Sequence, residues 1–278
     1  MSSELAVRDG PDHEALGGQR DESTDDVAFT LLGPLEVLKN GVNHAPSAPK
    51  ILQLLAMLLM SPGKVVHVDS IIQELWADEP PRSVRTTMQT YVYQLRKCIE
   101  RNGLAAHSET LLVTRSPGYV FNIDPAQLDV TDFQHLCREG RDAMAADRYD
   151  DAAQSFRSAL GLWTGPALAN VQCGALLTAY AVDLQEQRRA AHHLRIQAEI
   201  EAGNHRELIG ELKFLVSTNP LDEGLHGQLM RVLARSGRRS DAMTIYRQLR
   251  ARLDAELGVE PCAELQSLHH GLLSAGDT

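Results

Sequence analysis

One predicted helix carries side chains that suit nucleic-acid recognition, all on one face. The stretch "SVRTTMQTYVYQLRKCIERNG" spans residues 83 to 103, and its apolar residues recur at helical spacing. They form one side of the helix: Val84, Met88, Tyr91, Leu95 and Cys98. The opposite side carries basic, amide and hydroxyl groups: Arg82, Arg85, Thr86, Gln89, Thr90, Tyr93, Arg96 and Lys97. Such groups have the donor and acceptor geometry of base-edge and phosphate contacts in a major groove.

The charge of this stretch differs from that of the whole chain. The 278 residues include 27 basic and 37 acidic ones, a formal net charge of -10. Residues 82 to 101 contain five basic residues against Glu100 alone, a local balance of +4. A charged helical face is usually just a solvated face. Here the face has nearly one sign and includes Gln, Thr and Tyr, which favours DNA recognition.

The surrounding pattern predicts the elements that would position this helix. From Val27, short β-favouring runs with a turn at Asn40-Gly41 predict a small antiparallel sheet. Helices are predicted over 50–60, 69–76 with Asp69 as N-cap, and 83–102 with Ser83 as N-cap. Residues 111–123 then predict a hairpin with its turn at 116–118.

The order of sheet, three helices and hairpin is typical of a winged helix-turn-helix domain. Arg115 precedes the hairpin turn, which makes it a candidate contact to the minor groove or the backbone. Lys50, at the start of the first helix, is a further candidate phosphate contact.

Residues 125 to 275 consist of amphipathic helical patterns joined by short turns, and they contain a repeat. The text that begins at Gly203 aligns with the text that begins at Gly237, an offset of 34 residues. An upstream copy begins at Asp147, 56 residues before Gly203, and the segment 164–174 accounts for part of the 22-residue excess. A 34-residue helix-turn-helix period is the signature of tetratricopeptide repeats. The predicted fold is therefore mainly α: a winged-helix domain over 27–124, then an all-α repeat domain over 125–278.

The remaining features narrow the function class. Residues 1–26 are acidic and apolar-poor, and we expect them to be a disordered tail. Four isolated cysteines indicate neither a disulfide framework nor a zinc site. No nucleotide-binding or hydrolase motif occurs, so the sequence predicts no enzyme, no cofactor and no metal. The longest apolar run, residues 51–60, is too short to span a bilayer, and we expect a cytoplasmic protein without membrane contact.

These features together resemble one family, the Streptomyces antibiotic regulatory proteins. Its members join an OmpR/PhoB-type winged helix to a bacterial transcriptional activation domain. In the first domain the resemblance is carried by "LLGPLEV", "VDSIIQELW", "VRTTMQTYVYQLRK" and "LLVTRSPGYVF". In the second it is carried by the text around residues 159–168, by residues 204–261 and by the closing "LQSLHHGLL".

The resemblance implies a pathway-specific activator of antibiotic or secondary-metabolite genes. It would bind tandem direct repeats in promoter DNA as two protomers side by side and recruit RNA polymerase holoenzyme with its sigma factor. The residues that would contact DNA are Arg82, Arg85, Thr86, Thr87, Gln89, Thr90, Tyr93, Arg96, Lys97 and Arg115. A competing hypothesis is a helical-repeat adaptor or sensor that binds a peptide or small molecule and uses DNA binding only for targeting.

Overall fold

The N-terminal part of the structure is a small antiparallel sheet. The computed structural model describes residues 27–77 and 79–274, so the predicted acidic tail over 1–26 lies outside the described residues. Strand β1 (Val27–Thr30) pairs with β2 (Glu36–Lys39), which pairs with β3 (Val42–Asn43). Asn40 and Gly41 both have positive φ, 51° and 74°, which is the backbone geometry of a tight hairpin turn. The predicted Asn-Gly hairpin is confirmed.

Three helices follow, close to their predicted bounds. They are α1 (Pro49–Leu59), α2 (Val68–Trp76) and α3 (Val84–Arg101), with the short strand β4 (Val66–His67) before α2. The N-cap prediction for α2 was wrong: His67 holds that position and Asp69 lies in the first turn. The reason is tertiary, because β4 pairs with a strand of the wing and leads directly into the helix. Ser83 is at the N-cap of α3, but its side chain makes no capping hydrogen bond.

The wing is a second small sheet. After α4 (Ser108–Leu111), strands β5 (Leu112–Arg115) and β6 (Gly118–Phe121) form the predicted hairpin, and β4 completes the order β4-β6-β5. Gly118 has to be glycine, because a Cβ there would lie 1.9 Å from the carbonyl oxygen of Val66. Phe29 of β1 and Phe121 of β6 meet edge to face, with ring centroids 5.7 Å apart, so one aromatic pair joins the two sheets.

The rest of the described chain is helical. A 3₁₀ turn at Pro125–Gln127 leads into α5 (Asp129–Ala145), α6 (Tyr149–Gly161), α7 (Ala175–Glu201), α8 (Leu208–Thr218), α9 (Glu223–Arg235), α10 (Arg239–Leu257) and α11 (Ala263–Ser274). The predicted fold class, a winged helix followed by an all-α domain, is confirmed. None of the helices in the described chain has the length and apolar character that crossing a membrane requires.

The repeat inferred from the sequence corresponds to three helix pairs. Asp147, Gly203 and Gly237 all have positive φ, 56°, 91° and 74°, so each copy turns between its helices in the same way. Five residues later in each copy, and again nine residues later, the side chains are buried: Ala152, Leu208 and Ala242, then Phe156, Leu212 and Tyr246. The additional residues between the first and second copies lie in the non-helical segment 162–174 and in α7. Helix α7 has 27 residues, whereas α9, at the equivalent place in the next copy, has 13.

Two hydrophobic cores meet inside α7. The first contains buried residues from Val27 to Ala198 and so unites the winged helix with α5, α6 and most of α7. The second contains buried residues from Ile196 to Leu265. The predicted boundary between residues 124 and 125 separates two sequence patterns. The winged helix nevertheless shares one core with the first helical pair, and the buried residues of α3 belong to that core.

Candidate nucleic-acid interface

The buried face of α3 anchors it to the rest of the winged helix. Met88, Val92, Leu95 and Ile99 are buried, at spacings of four, three and four residues along the helix. Tyr91 is half-buried and stacks on Trp76 of α2, with ring centroids 5.8 Å apart. Val84 and Cys98, predicted for the same face, are also half-buried and flank this line. The packing therefore holds α3 in place and leaves its opposite face free.

Most of the predicted contact residues lie on that free face. Seven are exposed: Arg82, Arg85, Thr86, Gln89, Thr90, Tyr93 and Lys97. Tyr93 is 59% exposed, which is unusual for a large aromatic side chain in the middle of a helix that packs on its other side. Thr87 is half-buried, and its hydroxyl donates to the carbonyl of Ser83 at 3.2 Å. The hydroxyl of Thr90 donates to the carbonyl of Thr86 at 3.0 Å, which leaves its oxygen free to accept.

Two of the exposed cations have carboxylate neighbours. Nη2 of Arg85 lies 3.5 Å from Oδ1 of Asp69, and Nζ of Lys97 lies 3.1 Å from Oε2 of Glu100. The hydrogen bond with Glu100 raises the pKa of Lys97. The hydroxyl of Ser108 donates to Glu100 at 2.6 Å and, as the largest cause, lowers the pKa of that carboxyl. Exposed ion pairs contribute little free energy, so phosphates can compete for both cations.

Arg96 has a different position from the one predicted. Its guanidinium donates to the carbonyl of Leu112 from Nε at 3.2 Å and from Nη2 at 2.8 Å. Nη2 also donates to the Thr114 hydroxyl at 2.9 Å. Leu112 and Thr114 belong to β5, so this half-buried side chain ties α3 to the wing. Its charge faces the protein, and a DNA contact by Arg96 stays a prediction that this geometry does not favour.

Lys50 is also engaged within the protein. Its half-buried ammonium donates to the carbonyl of Leu75, at the end of α2, and to the side-chain oxygen of Gln53 at 3.2 Å. A cation at the last carbonyls of a helix satisfies an acceptor that the helix itself leaves free. Lys50 therefore holds α1 and α2 together, and its predicted phosphate contact is disfavoured in the same way as that of Arg96.

Two further exposed arginines lie near this face. One is on the wing, and the other is on α3 and was not selected in the sequence analysis. Arg115 is exposed at the end of β5, opposite Gly118 in the hairpin register, and makes no ion pair with any residue that the structure describes. Arg101, one helical turn after Lys97, is likewise exposed. Its signal was present in the sequence, because Arg101 is one of the five basic residues that give residues 82–101 their balance of +4. Within residues 27–77 and 79–274, no group of His, Cys, Asp or Glu is arranged to hold a metal ion.

The role of Arg96 gives a testable difference from the phosphate contacts. In Arg96→Met we expect weaker operator binding, by about 1 kcal/mol, because a charge-assisted link between α3 and the wing is lost. We expect the dependence of log Kd on log salt to keep its slope, because no cation at the DNA surface is removed. Titration at four salt concentrations measures both quantities. A slope shallower by about 0.9 would show instead that Arg96 contacts a phosphate.

Comparison with known proteins matches both halves of the chain. Residues 44–121 match the family described as "Transcriptional regulatory protein, C terminal", and residues 128–273 match the "Bacterial transcriptional activator domain". Regulatory protein DnrI of Streptomyces peucetius is 38% identical over 252 residues, which cover 90% of this chain and 93% of DnrI. Regulatory protein AfsR of Streptomyces griseus is 32% identical, and the match covers 92% of this chain but 25% of AfsR.

A solved structure has the same arrangement of elements. Mycobacterium tuberculosis EmbR, in complex with a low-affinity phosphopeptide, superposes with a TM-score of 0.84 at 32% identity. The match covers 91% of this chain and 66% of that one. A winged helix and a bacterial transcriptional activator domain thus occur together in known regulators, and the chain belongs to the Streptomyces antibiotic regulatory protein family of transcriptional regulators.

Proposed function

We propose that this protein is a sequence-specific, DNA-binding transcriptional activator. The observation that carries the proposal is the face of α3, which is exposed, nearly one-signed and held in place by the buried line from Met88 to Ile99. Gln89, Thr86, Thr90 and Tyr93 would contact base edges in the major groove. The cations at its edges, Arg82, Arg85, Lys97 and Arg115, would contact phosphates or the adjacent minor groove.

The similarity to DnrI, nearly all of which this chain spans, supports a finer proposal. We propose that the protein activates genes of antibiotic or secondary-metabolite synthesis from tandem direct repeats. Two protomers would bind side by side on the repeats, and the helical domain would contact RNA polymerase holoenzyme with its sigma factor. The protein would act in the cytoplasm, on the nucleoid, and would have no catalytic activity of its own.

A footprint on the promoters beside its own gene tests this proposal. We expect protection of two repeats on one face of the duplex, with centres one helical turn of about 10.5 base pairs, or a multiple of it, apart. Uniform protection without preferred sites at about 0.15 M salt would contradict sequence-specific recognition, because basic surfaces bind any duplex weakly.

One observation favours the sensor hypothesis as a second candidate. Helices α8, α9 and α10 enclose a groove of about 650 Å³, within the range of small-molecule sites. Its lining includes the apolar side chains of Val216, Leu229 and Ile245, and no carboxylate lines it. Its cations are Lys213 and Arg252, and Nε of Arg252 lies 3.5 Å from a carboxylate oxygen of Glu256. An apolar anion would suit this lining. A thermal-shift screen of apolar carboxylates would support a sensor if one of them raised the Tm reproducibly and Lys213→Met abolished the effect.

A further inference from the structure

The long helix α7 begins without a capping residue of its own. Its N-cap is Gly174, which has no side chain, and its first turn contains no acidic residue. The first four backbone N–H groups of a helix have no partner within the helix, so they need acceptors from elsewhere. Since α7 has 27 residues and both cores include part of it, the way its first turn is satisfied matters for the whole protein.

The missing acceptor comes from the DNA-binding domain. Glu74 belongs to α2, and its carboxylate accepts from the backbone N–H of Gly174 at 2.6 Å and from that of Leu176 at 2.8 Å. Glu74 is only 3% exposed although it carries no ion pair within the described chain. A carboxylate at a helix N-terminus satisfies the free donors and is stabilised by the helix dipole. Glu74 is therefore the N-terminal cap of α7, supplied from 100 residues away in the sequence.

The contact leaves no free space. A Cβ at residue 174 would lie 2.6 Å from the carbonyl oxygen of Glu74 and 2.8 Å from its carboxyl carbon, so the site requires glycine. The carbonyl of Glu74 also accepts from the side-chain amide of Gln53 at 2.9 Å, and Lys50 donates to the next carbonyl. One short segment of α2 is thus fixed to α1 through its backbone and to α7 through its side chain.

The other polar contacts between the domains lie on a different part of the winged helix. Backbone N–H groups of Thr164, Leu168 and Ala169 donate to carbonyls of residues 31–33 at 3.0 to 3.2 Å. The side chain of Asn170 exchanges hydrogen bonds with the backbone of Leu35 at 2.7 and 3.1 Å. These contacts hold the turn between β1 and β2. Glu74 alone among these polar links attaches the helical domain to the helix-turn-helix itself.

We propose that Glu74 is a positioning residue through which the helical domain fixes the pose of α3 and so sets the spacing between two half-sites. The inference rests on the proposed function, because it requires two protomers on tandem repeats. If the helical domains of neighbouring protomers contact each other, the distance between their α3 helices depends on how firmly each winged helix is held against its own helical domain. Without Glu74 the winged helix keeps the shared core and its attachment at residues 31–35 but loses the polar link at α2, so α2 and α3 are held less firmly.

The test compares operators of different spacing with the full-length protein. An insertion of two base pairs rotates one half-site by about 70° at about 10.5 base pairs per turn. We expect the wild type to bind this operator at least about tenfold more weakly, since simultaneous engagement needs the correct geometry. We expect Glu74→Ala to lose most of that discrimination while its affinity for a single half-site stays within about twofold. Glu74→Gln keeps one acceptor oxygen, so its discrimination between the two operators should lie between that of the wild type and that of Glu74→Ala.

Glu79→Ala is the matched control, because it removes the same charge from an exposed position just after α2. This control variant should distinguish the two operator spacings as strongly as the wild type does. The inference is overturned if Glu74→Ala retains full discrimination, or if its half-site affinity falls in parallel with its folded fraction.

Amide hydrogen exchange gives a readout without DNA: Glu74→Ala should lose protection at residues 174–178 and keep it in α1. Unchanged protection at residues 174–178 in Glu74→Ala would overturn the inference. A wild-type protein that binds no operator would instead refute the proposed function, and the exchange result would not be affected.

Discussion

Replacing Arg82, Lys97 and Arg115 together with alanine is expected to weaken operator binding by at least about 100-fold at moderate salt. All three side chains are exposed: Arg82 in the turn before α3, Lys97 on its free face and Arg115 on the wing. Each phosphate contact that is lost should also make the plot of log Kd against log salt shallower by about 0.9, so the triple variant should lose about 2.7 in slope. Fluorescence anisotropy with a labelled operator between 0.05 and 0.3 M salt measures both the affinity and the slope.

A charge-matched control separates contact from long-range attraction. Arg138, Arg206 and Arg231 of the helical domain are exposed and make no ion pair within the described part of the chain. Their triple alanine variant removes the same +3 charge and should change the slope by less than about 0.5. Gln89→Ala should lower only the preference for operator over random DNA and keep the slope, because it removes a base contact without removing a charge. Equal effects of the two triple variants would show that α3 is not the contact surface.

Phe156→Ala is expected to destabilise the protein by about 3–5 kcal/mol, the largest effect we predict for one side chain. Phe156 is fully buried on α6 at the position that packs the first helical pair. Its ring fits closely against α5: a Cβ at Gly140 would lie 2.8 Å from the ring, so the space that alanine leaves cannot be filled by a small shift. Urea unfolding followed by circular dichroism measures the change in the free energy of unfolding.

The control for this variant is Ser158→Ala, an exposed change on the same helix that should alter stability by less than about 0.5 kcal/mol. Because the first core includes the winged helix, Phe156→Ala should also weaken operator binding as the temperature approaches its lowered Tm. A loss below 1 kcal/mol, or a winged helix that stays folded when the first helical pair has unfolded, would contradict the shared core. In a Trp163→Phe background, the fluorescence of Trp76, which stacks on Tyr91, reports on the winged helix alone.

The shared core and the Glu74 cap join the helical domain to the domain that we propose to bind DNA. In a chain with two independent domains, the winged helix would reorient freely about a linker. Here the segment 162–174 is non-helical and its residues bond to the turn after β1, while α7 begins against α2. The extra residues that interrupt the 34-residue repeat therefore include residues that join the two domains. Asp129 of α5 also joins them, because its carboxylate accepts from the backbone N–H groups of Leu31 and Leu32.

The sequence by itself determined the features that depend on neighbours along the chain. The apolar spacing in residues 83–103 is enough to place a helix and its free face, because side chains three and four residues apart share one side. Asn40-Gly41 is enough for a hairpin, because both residues tolerate positive φ. The equivalent turns at Gly203 and Gly237 followed from the 34-residue offset, and the turn at Asp147 followed from the matching text 56 residues before Gly203. The positive φ values of all three residues confirm the alignment.

Only the tertiary structure decided which polar side chains are free. Arg96 and Lys50 look like any other cation in the sequence, yet their partners are backbone carbonyls 16 and 25 residues away. Glu74 looks like a surface residue of an amphipathic helix, but it caps a helix that begins 100 residues later. Backbone carbonyls and N–H groups occur at every residue and leave no sequence signal, so the partner of a charged group is settled only when the chain folds and brings them together.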